Sequence, residues 1–338
     1  FGTSVSASRI VAGERAFHAE LEAALARIHG VESAIVMVSG HATNVTTIGH
    51  LMHKGDLVLT DSFVHNSIAE GVRLSGATRM NFPHDDLDAL EKLLADHRHK
   101  FDKVLVVVEG LYSMDGDFPD LKRVIKLKQA YDAWLMVDEA HSIGVLGKTG
   151  RGIAEHFGVD PTEVEIWMGT LSKTFSSCGG YIAGSKVLCD YLKVSAPGFV
   201  FSVGLSAALA GAAIASAELL ESEPERVERL QKNGALFLKL AKEAGLNTGP
   251  SAGYAVVPVI VGDSASAATL SNRLLAKGIN ALPIIFPAVP EKSARIRFFI
   301  TSEHTEEQIR RAVETTASEL DAMRADGNAV DRLIKAAR

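Results

Sequence analysis

Lys173 stands in Thr170-Leu171-Ser172-Lys173-Thr174-Phe175, between an apolar run and Cys178-Gly179-Gly180-Tyr181. A lysine among small hydroxyl residues and glycines, expected to be largely hidden from water, can have its ammonium acidified and form an imine with an aldehyde. Taken alone it reads more readily as an ordinary solvated loop lysine, and only its company shifts that reading. Asp138 ends the apolar run Leu135 to Val137, where an unpaired carboxylate is costly and needs a cationic or hydrogen-bonding partner. A protonated pyridine nitrogen meets that need, and so does a helix N-cap or a strand-end ion pair; the residue by itself leaves the choice open. Together, Lys173 and Asp138 supply what pyridoxal 5′-phosphate (PLP) requires. The lysine binds its aldehyde, and the acid keeps the ring nitrogen protonated so that the ring accepts electrons.

Three further positions join them. His141 can reach the ring's phenolic oxygen from the same loop, or be a core histidine bonded to a carbonyl. His65, in Asp61-Ser62-Phe63-Val64-His65-Asn66-Ser67, can stack its flat ring on a cofactor, or simply precede a helix. Ser39-Gly40-His41 leads into a helical pattern, so its amides and that helix N-terminus suit a phosphate.

The elements that must position these residues alternate along the chain. Helix one is expected from Phe17, Leu21, Leu25 and Ile28 at helical spacing, stopping at Gly30. Short apolar runs follow at Ala34 to Val38, Leu57 to Leu59, Val104 to Val108, Leu135 to Val137 and Ile166 to Met168. Segments of helical period such as Leu87 to Leu94 and Leu121 to Ala130 separate them. Strands buried on both faces predict an α/β fold with a mostly parallel sheet, whose ligands sit beyond the carboxyl ends of the strands. The chemistry-bearing residues stand just after those runs. From Pro197-Gly198 the pattern changes to long helices, Leu205 to Leu220 and Glu225 to Ala244, and then to a smaller α+β unit. The expected division is 1–222 for a large domain, 223–325 for a small one and 326–338 for a tail or linker.

Composition narrows the function. The 338 residues are 47% hydrophobic and 22% charged, a globular profile, and the formal charge of −6 with no basic block argues against nucleic acid. Gly204 to Leu220 is interrupted by Ser206 and Ser216 and reads as a buried helix, not a membrane span. Cys178 and Cys189 cannot make a disulfide framework, and no signal peptide is evident, which fits a reducing cytoplasm. Asp138-Glu139-Ala140-His141 spells a helicase box and Gly147-Lys148-Thr149 the end of a P-loop. Ser142 stands where the P-loop needs glycine, and the pair runs in the wrong order. His97-Arg98-His99 and His50 with His53 lack the companions of a metal site and are read as surface residues. The chain starts at Phe1 and reads as a piece of a longer polypeptide.

Val137-Asp138-Glu139-Ala140-His141-Ser142-Ile143-Gly144-Val145-Leu146-Gly147, followed by Gly169-Thr170-Leu171-Ser172-Lys173, resembles the α-oxoamine synthase family of fold-type I PLP enzymes. That family includes 8-amino-7-oxononanoate synthase, 2-amino-3-ketobutyrate CoA ligase, 5-aminolevulinate synthase and serine palmitoyltransferase. The resemblance extends to Ser8-Arg9-Ile10-Val11-Ala12-Gly13, to Glu109-Gly110-Leu111-Tyr112-Ser113-Met114-Asp115-Gly116-Asp117, and to Pro287-Ala288-Val289-Pro290 before Arg295-Ile296-Arg297. It implies an aspartate-aminotransferase-like fold and a decarboxylating Claisen condensation. A small amino acid (glycine, alanine or serine) joins an acyl thioester to give an α-aminoketone, CO2 and free thiol.

The same resemblance implies residue roles. Lys173 forms the Schiff base with PLP and moves the Cα proton, Asp138 pairs with the ring nitrogen, and His141 and Ser113 bond the phenolic oxygen. His65 stacks on the ring and positions the acyl group. Gly40, His41 and Thr170 hold the phosphate, Ser202 and Val203 reach the cofactor of the other subunit in a homodimer, and Arg297 clamps the amino-acid carboxylate. The family's Asn-Tyr-Leu-Gly stretch, which precedes this region in relatives and helps shape the substrate site, is expected in an earlier part of the longer polypeptide; within this sequence the departures are His41, where many relatives carry an aromatic residue, and Ala288, where the oxononanoate synthases tend to have threonine. Ser4-Val5-Ser6-Ala7-Ser8-Arg9, Gly40-His41-Ala42-Thr43-Asn44 and Ser177-Cys178-Gly179-Gly180 look most like members fused to, or working beside, polyketide assembly lines, a likeness that leaves an acyl carrier protein beside CoA as the implied acyl donor. The alternatives are an aminotransferase or decarboxylase of the same fold, and a non-catalytic partner subunit.

Overall fold

The structure, a computed structural model, describes residues 2–325. Contacts divide the chain into two compact units. Among the described residues, one comprises 2–112 with Phe118–Pro224, the other Ser113–Asp117 with 225–325. The expected break at 222/223 thus lies two residues early, and residues 113–117 belong with the second unit, a segment the expectation placed in the first. The expected tail, 326–338, lies outside the described residues.

In the first unit, α1 (Ala16–His29) buries Phe17, Leu21, Leu25 and Ile28 and ends at Gly30, whose φ of 70° lets its N–H bond the carbonyls of Ala26 and Arg27. Only glycine takes that backbone without strain. The chain then alternates through β1 (Ser33–Met37), α2 (Gly40–Leu51), β2 (Leu57–Asp61), α3 (Asn66–Ser75), β3 (Thr78–Phe82), α4 (Leu87–His97) and β4 (Val104–Glu109). It continues through α5 (Leu121–Ala130), β5 (Trp134–Asp138), α6 (Ile153–Phe157), β6 (Ile166–Thr170), β7 (Gly180–Gly184), α7 (Lys186–Ser195), α8 (Pro197–Val200) and α9 (Ala207–Ser222). The seven strands form one sheet in the order β1-β7-β6-β5-β4-β2-β3, in which β7 runs antiparallel to both neighbours and the other pairs are parallel. Every residue of β2, β4 and β6 is buried, as expected for strands covered by helices on both faces.

Two strands, β3 and β7, were not expected: β3 has no apolar run, and the short run Tyr181 to Ala183 of β7 is flanked by glycines. β3 is a polar edge strand, Thr78-Arg79-Met80-Asn81-Phe82, held by parallel pairing to β2. The segment expected to be a buried helix begins at Ala207, with Ser206 accepting a capping bond from the Leu209 amide. Only its Ala210, Ala213, Ala217 and Leu220 face is buried, so it is a surface helix with an apolar stripe of small residues.

The second unit contains α10 (Glu225–Glu243), β8 (Val256–Gly262), α11 (Ser264–Ala276), β9 (Leu282–Ile284), β10 (Ala294–Phe299) and α12 (Glu306–Ala325). Its antiparallel sheet, β8-β10-β9, packs Val257, Ile296 and Phe298 with Phe237, Leu270 and Leu274 of the helices. Residues 113–117 are bound to it by a buried ion pair, Arg295 Nη1 to Asp115 at 2.5 Å, and by the Ala252 amide donating to Gly116 O at 3.0 Å. Arg295 also donates to Met114 O at 3.0 Å. Cys178 is exposed, Cys189 is buried, and both are free. Among the described residues no helix is long and apolar enough to cross a membrane, and no group of three His, Cys, Asp or Glu is placed to hold a metal ion.

Candidate active site

Strand register brings the functional residues to one edge of the large sheet. Glu109 at the end of β4 lies beside Asp138 at the end of β5, Thr170 at the end of β6 lies beside Gly180, and Gly180 lies beside Met37 at the end of β1. The turns that leave these ends carry Gly40 and His41, His65, His141 and Lys173. The crevice is thus made by the carboxyl ends of the parallel strands.

On its β1 side, Ser39 caps α2 by accepting from the Ala42 amide at 3.4 Å. The amides of Gly40 and His41, in the first turn, have no carbonyl of their own helix to bond and face out of it. Backbone approaches closely here. A Cβ on Gly40 would lie 2.7 Å from Thr170 Oγ1, and one on Gly180 would lie 2.5 Å from Thr43 Oγ1 and 2.6 Å from Gly40 Cα. Thr170 Oγ1 donates to Gly179 O at 3.1 Å and lies 2.8 Å from Ser172 Oγ. The result is a cradle of two amides and two hydroxyls at a helix N-terminus, suited to a phosphate dianion.

Asp138 is 3% exposed, and each of its carboxylate oxygens accepts one bond: Oδ1 from the Ala140 amide at 3.0 Å, Oδ2 from Asn44 Nδ2 at 2.9 Å. Asn44 Nδ2 also donates to Ser67 Oγ at 3.0 Å, and Ser67 Oγ lies 2.7 Å from His65 Nδ1. The His65 amide donates to Glu109 Oε1 at 2.6 Å, which fixes the turn after β2 to the end of β4. His65 caps α3 and meets His41 edge-on, with ring centroids 6.3 Å apart. Its pKa lies below the ordinary histidine value, first because neighbouring elements desolvate it, and further because Lys173 and His41 disfavour a second cation. Asp138 pulls the other way. That mutual influence joins His65, His41, Asp138 and Lys173 in one site.

Lys173 corrects the expectation of a lysine hidden from water. It is exposed, because the turn after β6 carries it outward from the strand end. His141 sits half-buried in a turn stitched by the Ser142 and Ile143 amides donating to Glu139 O. Beneath that turn Glu139 is buried, bonded by the Ser142 hydroxyl and, at 3.0 Å, by the Ile153 amide, and burial pushes its carboxyl up to about 7. The Gly147-Lys148-Thr149 loop holds a carboxylate of its own: the Thr149 and Arg151 amides each donate to Glu155 at 3.0 Å. The Thr149 amide of the P-loop-like triplet is therefore turned to a carboxylate of the protein's own and not to a phosphate.

In the second unit, Arg297 Nη1 donates to Ser113 O at 2.9 Å and its guanidinium lies 4.6 Å from the centre of the Phe299 ring, while Nε is buried with no hydrogen-bond partner. Ser113 is buried on the segment that packs with this unit. Ser202 and Val203 lie near the start of the chain, where Val203 bridges Ser8 and the Gly204 amide donates to Ala7 O at 3.1 Å. Sequence reasoning missed Asn44, Ser67 and Gly180. Their signal was available only as positions near the N-termini of α2 and α3 and at the first residue of β7.

The residues fit PLP on two observations. The cradle accepts a phosphate where no side chain could be added, and the buried Asp138 carboxylate has one donor per oxygen, so each keeps a lone pair for a protonated ring nitrogen. The cradle also yields an expected outcome. Gly180→Ala forces backbone apart at Gly40, and strain of about 1–3 kcal/mol lowers PLP affinity about ten- to hundredfold. Fluorescence titration of PLP into the folded variant measures it, and wild-type affinity would remove the cradle from the site.

Comparison with known proteins agrees with this geometry. The profile of the family described as "Aminotransferase class I and II" matches residues 7–315. The chain is 41% identical to 8-amino-7-oxononanoate synthase 1 of Bacillus velezensis over 94% of its own length and 81% of that protein's. It is 39% identical to serine palmitoyltransferase 3 of Homo sapiens over 96% of its length, spanning 60% of that longer chain. Its fold superposes on serine palmitoyltransferase of Sphingomonas wittichii with a TM-score of 0.91 at 30% identity, covering 97% of this chain and 81% of that one. A chain that carries a lysine, a buried aspartate and a phosphate cradle on one strand-end crevice, and that is similar to these enzymes over nearly its full length, belongs to the aminotransferase class I and II family and, within it, to the PLP-dependent α-oxoamine synthases.

Proposed function

We propose that this protein condenses a small amino acid with an acyl thioester, releasing CO2 and thiol and forming an α-aminoketone. The observation that carries this reading is the meeting of Lys173, Asp138, His65 and the α2 N-terminus at one edge of the sheet, in a chain of this family. When bound, PLP supplies an electron sink that stabilises negative charge on the amino acid's Cα. The α2 amides at Gly40 and His41, with Thr170, hold its phosphate, and Asp138 keeps a negative charge fixed at the buried end of β5. Lys173 Nζ, carried on an exposed turn, takes the proton from Cα and returns one after CO2 has left. Arg297 presents guanidinium donors, Nε among them, to the substrate carboxylate. Ser113 and His141 hydrogen-bond the phenolic oxygen.

Two copies share their sites in this reading, with Ser202 and Val203 reaching the partner's cofactor. The exposure of Ile10, Val11, Phe201 and Val203, which sit together where Ser8 bridges Val203, supports it: such a patch is covered in a dimer. The acyl group arrives on CoA or on an acyl carrier protein, and the protein works in the cytoplasm, where its two free cysteines stay reduced.

Purified enzyme is assayed for free thiol and CO2 with glycine, alanine or serine, against acyl-CoA and a loaded carrier. The expected result is thiol release that needs both substrates, matched by CO2. Amino-group transfer to an oxo acid with no thioester present would replace this reading by a transaminase.

A further inference from the structure

From the mouth of the crevice to its buried carboxylate, four groups form one line of hydrogen bonds: His65 Nδ1, Ser67 Oγ, Asn44 Nδ2 and Asp138 Oδ2, at successive separations of 2.7, 3.0 and 2.9 Å. Chemistry fixes the direction of each bond. An amide nitrogen can only donate, so Asn44 gives its two hydrogens to Ser67 and to Asp138. Ser67 Oγ is then an acceptor toward Asn44, and its own hydrogen turns to His65 Nδ1. The Ser67 backbone N–H lies 3.3 Å from the same Nδ1 and can likewise only donate. With two donors aimed at it, Nδ1 is the unprotonated nitrogen, and the ring hydrogen sits on Nε2. Reversing Asn44 would aim its carbonyl at a carboxylate. The orientation it keeps leaves its own Oδ1 buried without a partner, a cost accepted in exchange for the two bonds its Nδ2 donates.

We propose that Asn44 and Ser67 are positioning residues that hold His65 as a neutral Nε2–H hydrogen-bond donor and, through the same line, orient the Asp138 carboxylate. This goes beyond the proposed function and rests on it only for the use to which the Nε2–H is put, a bond to an oxygen of the acyl substrate. Four charged or titratable groups face His65. Asp138 from β5 favours its cation, Lys173 from the turn after β6 and His41 from α2 oppose it, and Glu109 from β4 engages its backbone amide. Partial burial adds to the opposition, so the ring's acidity agrees with the geometry.

The test is NMR on histidine 15N-labelled protein without added PLP, in which the signals of His65 among the 12 histidines are assigned by their loss in His65→Gln. In wild type at neutral pH, Nδ1 is expected to show the shift of an unprotonated acceptor and Nε2 that of a protonated nitrogen. Ser67→Ala removes a bond made to the neutral form, so it should mix the two tautomers and raise the midpoint of His65 by about one unit. Asn44→Leu should move it in the same direction, since the serine hydroxyl is then free to turn and accept. Ser67→Thr, which keeps the hydroxyl, should restore the wild-type pattern. A residue that merely fills space would change the melting temperature and leave the tautomer alone. Wild-type His65 with its proton on Nδ1, or a Ser67→Ala variant with unchanged tautomer and midpoint, overturns the proposal. Because PLP and substrates are left out, either result leaves the condensation reading to be judged by its own assay.

Discussion

Lys173→Ala is expected to abolish covalent retention of PLP and to lower the condensation rate by about 10³-fold or more, since the side chain both binds the aldehyde and moves the Cα proton. Wild-type protein with PLP should show a visible band that borohydride bleaches and fixes to the chain; the variant should show none. The geometry makes this a clean experiment. Lys173 is exposed, so removing it forfeits little packing, and the melting temperature should hardly move. The cradle of Gly40, Thr170 and Gly180 is untouched, so free PLP should still bind, only without the covalent link. A reducible band that survives in Lys173→Ala would place the attachment at a different lysine and undo the assignment.

Asp138→Asn should cost nearly as much activity while leaving the shape of the site intact. Both carboxylate oxygens accept a bond, from Ala140 and from Asn44, and an asparagine offers only one acceptor. One of those donors is therefore left facing an NH2 group inside the sheet, and the fixed negative charge is gone. The loss of one charge-assisted bond, ~1.5–3 kcal/mol, weakens PLP binding about tenfold to hundredfold. The condensation rate should fall further, because the negative charge on Cα needs a protonated ring nitrogen. PLP titration and thiol release measure the two losses separately. A variant with wild-type rate would show that the ring nitrogen finds its proton without Asp138.

Much of this was legible in the sequence because a buried parallel strand writes itself as an apolar run. β4 and β6 begin where their runs begin, and α5 spans the predicted Leu121 to Ala130. The residues just beyond those runs became the site, for the reason that strand ends are where polar groups first escape burial. β3 and β7 were not legible. An edge strand needs no apolar pattern when a partner supplies its hydrogen bonds, and Gly180-Tyr181-Ile182-Ala183-Gly184 is too short and glycine-rich to stand apart from the lysine turn before it. Asn44 and Ser67 were silent because their meaning lies in partners 94 and 23 residues away from Asn44. The exposure of Lys173 was misjudged because neighbours that are small and polar say nothing about which way a turn opens.

Residues 113–117 have a meaning for ancestry and engineering. The second unit is discontinuous in the gene: its ion pair from Arg295 to Asp115 joins codons that lie on opposite sides of the helices and strands from α5 to α9. A crossover between related genes near Pro224 would exchange Arg295 and Arg297 without the pentapeptide they hold, stranding a buried guanidinium opposite a foreign loop. Chimeras within the family are therefore viable only when both stretches travel together. Over time the two segments should drift as a pair, even though more than a hundred codons separate them.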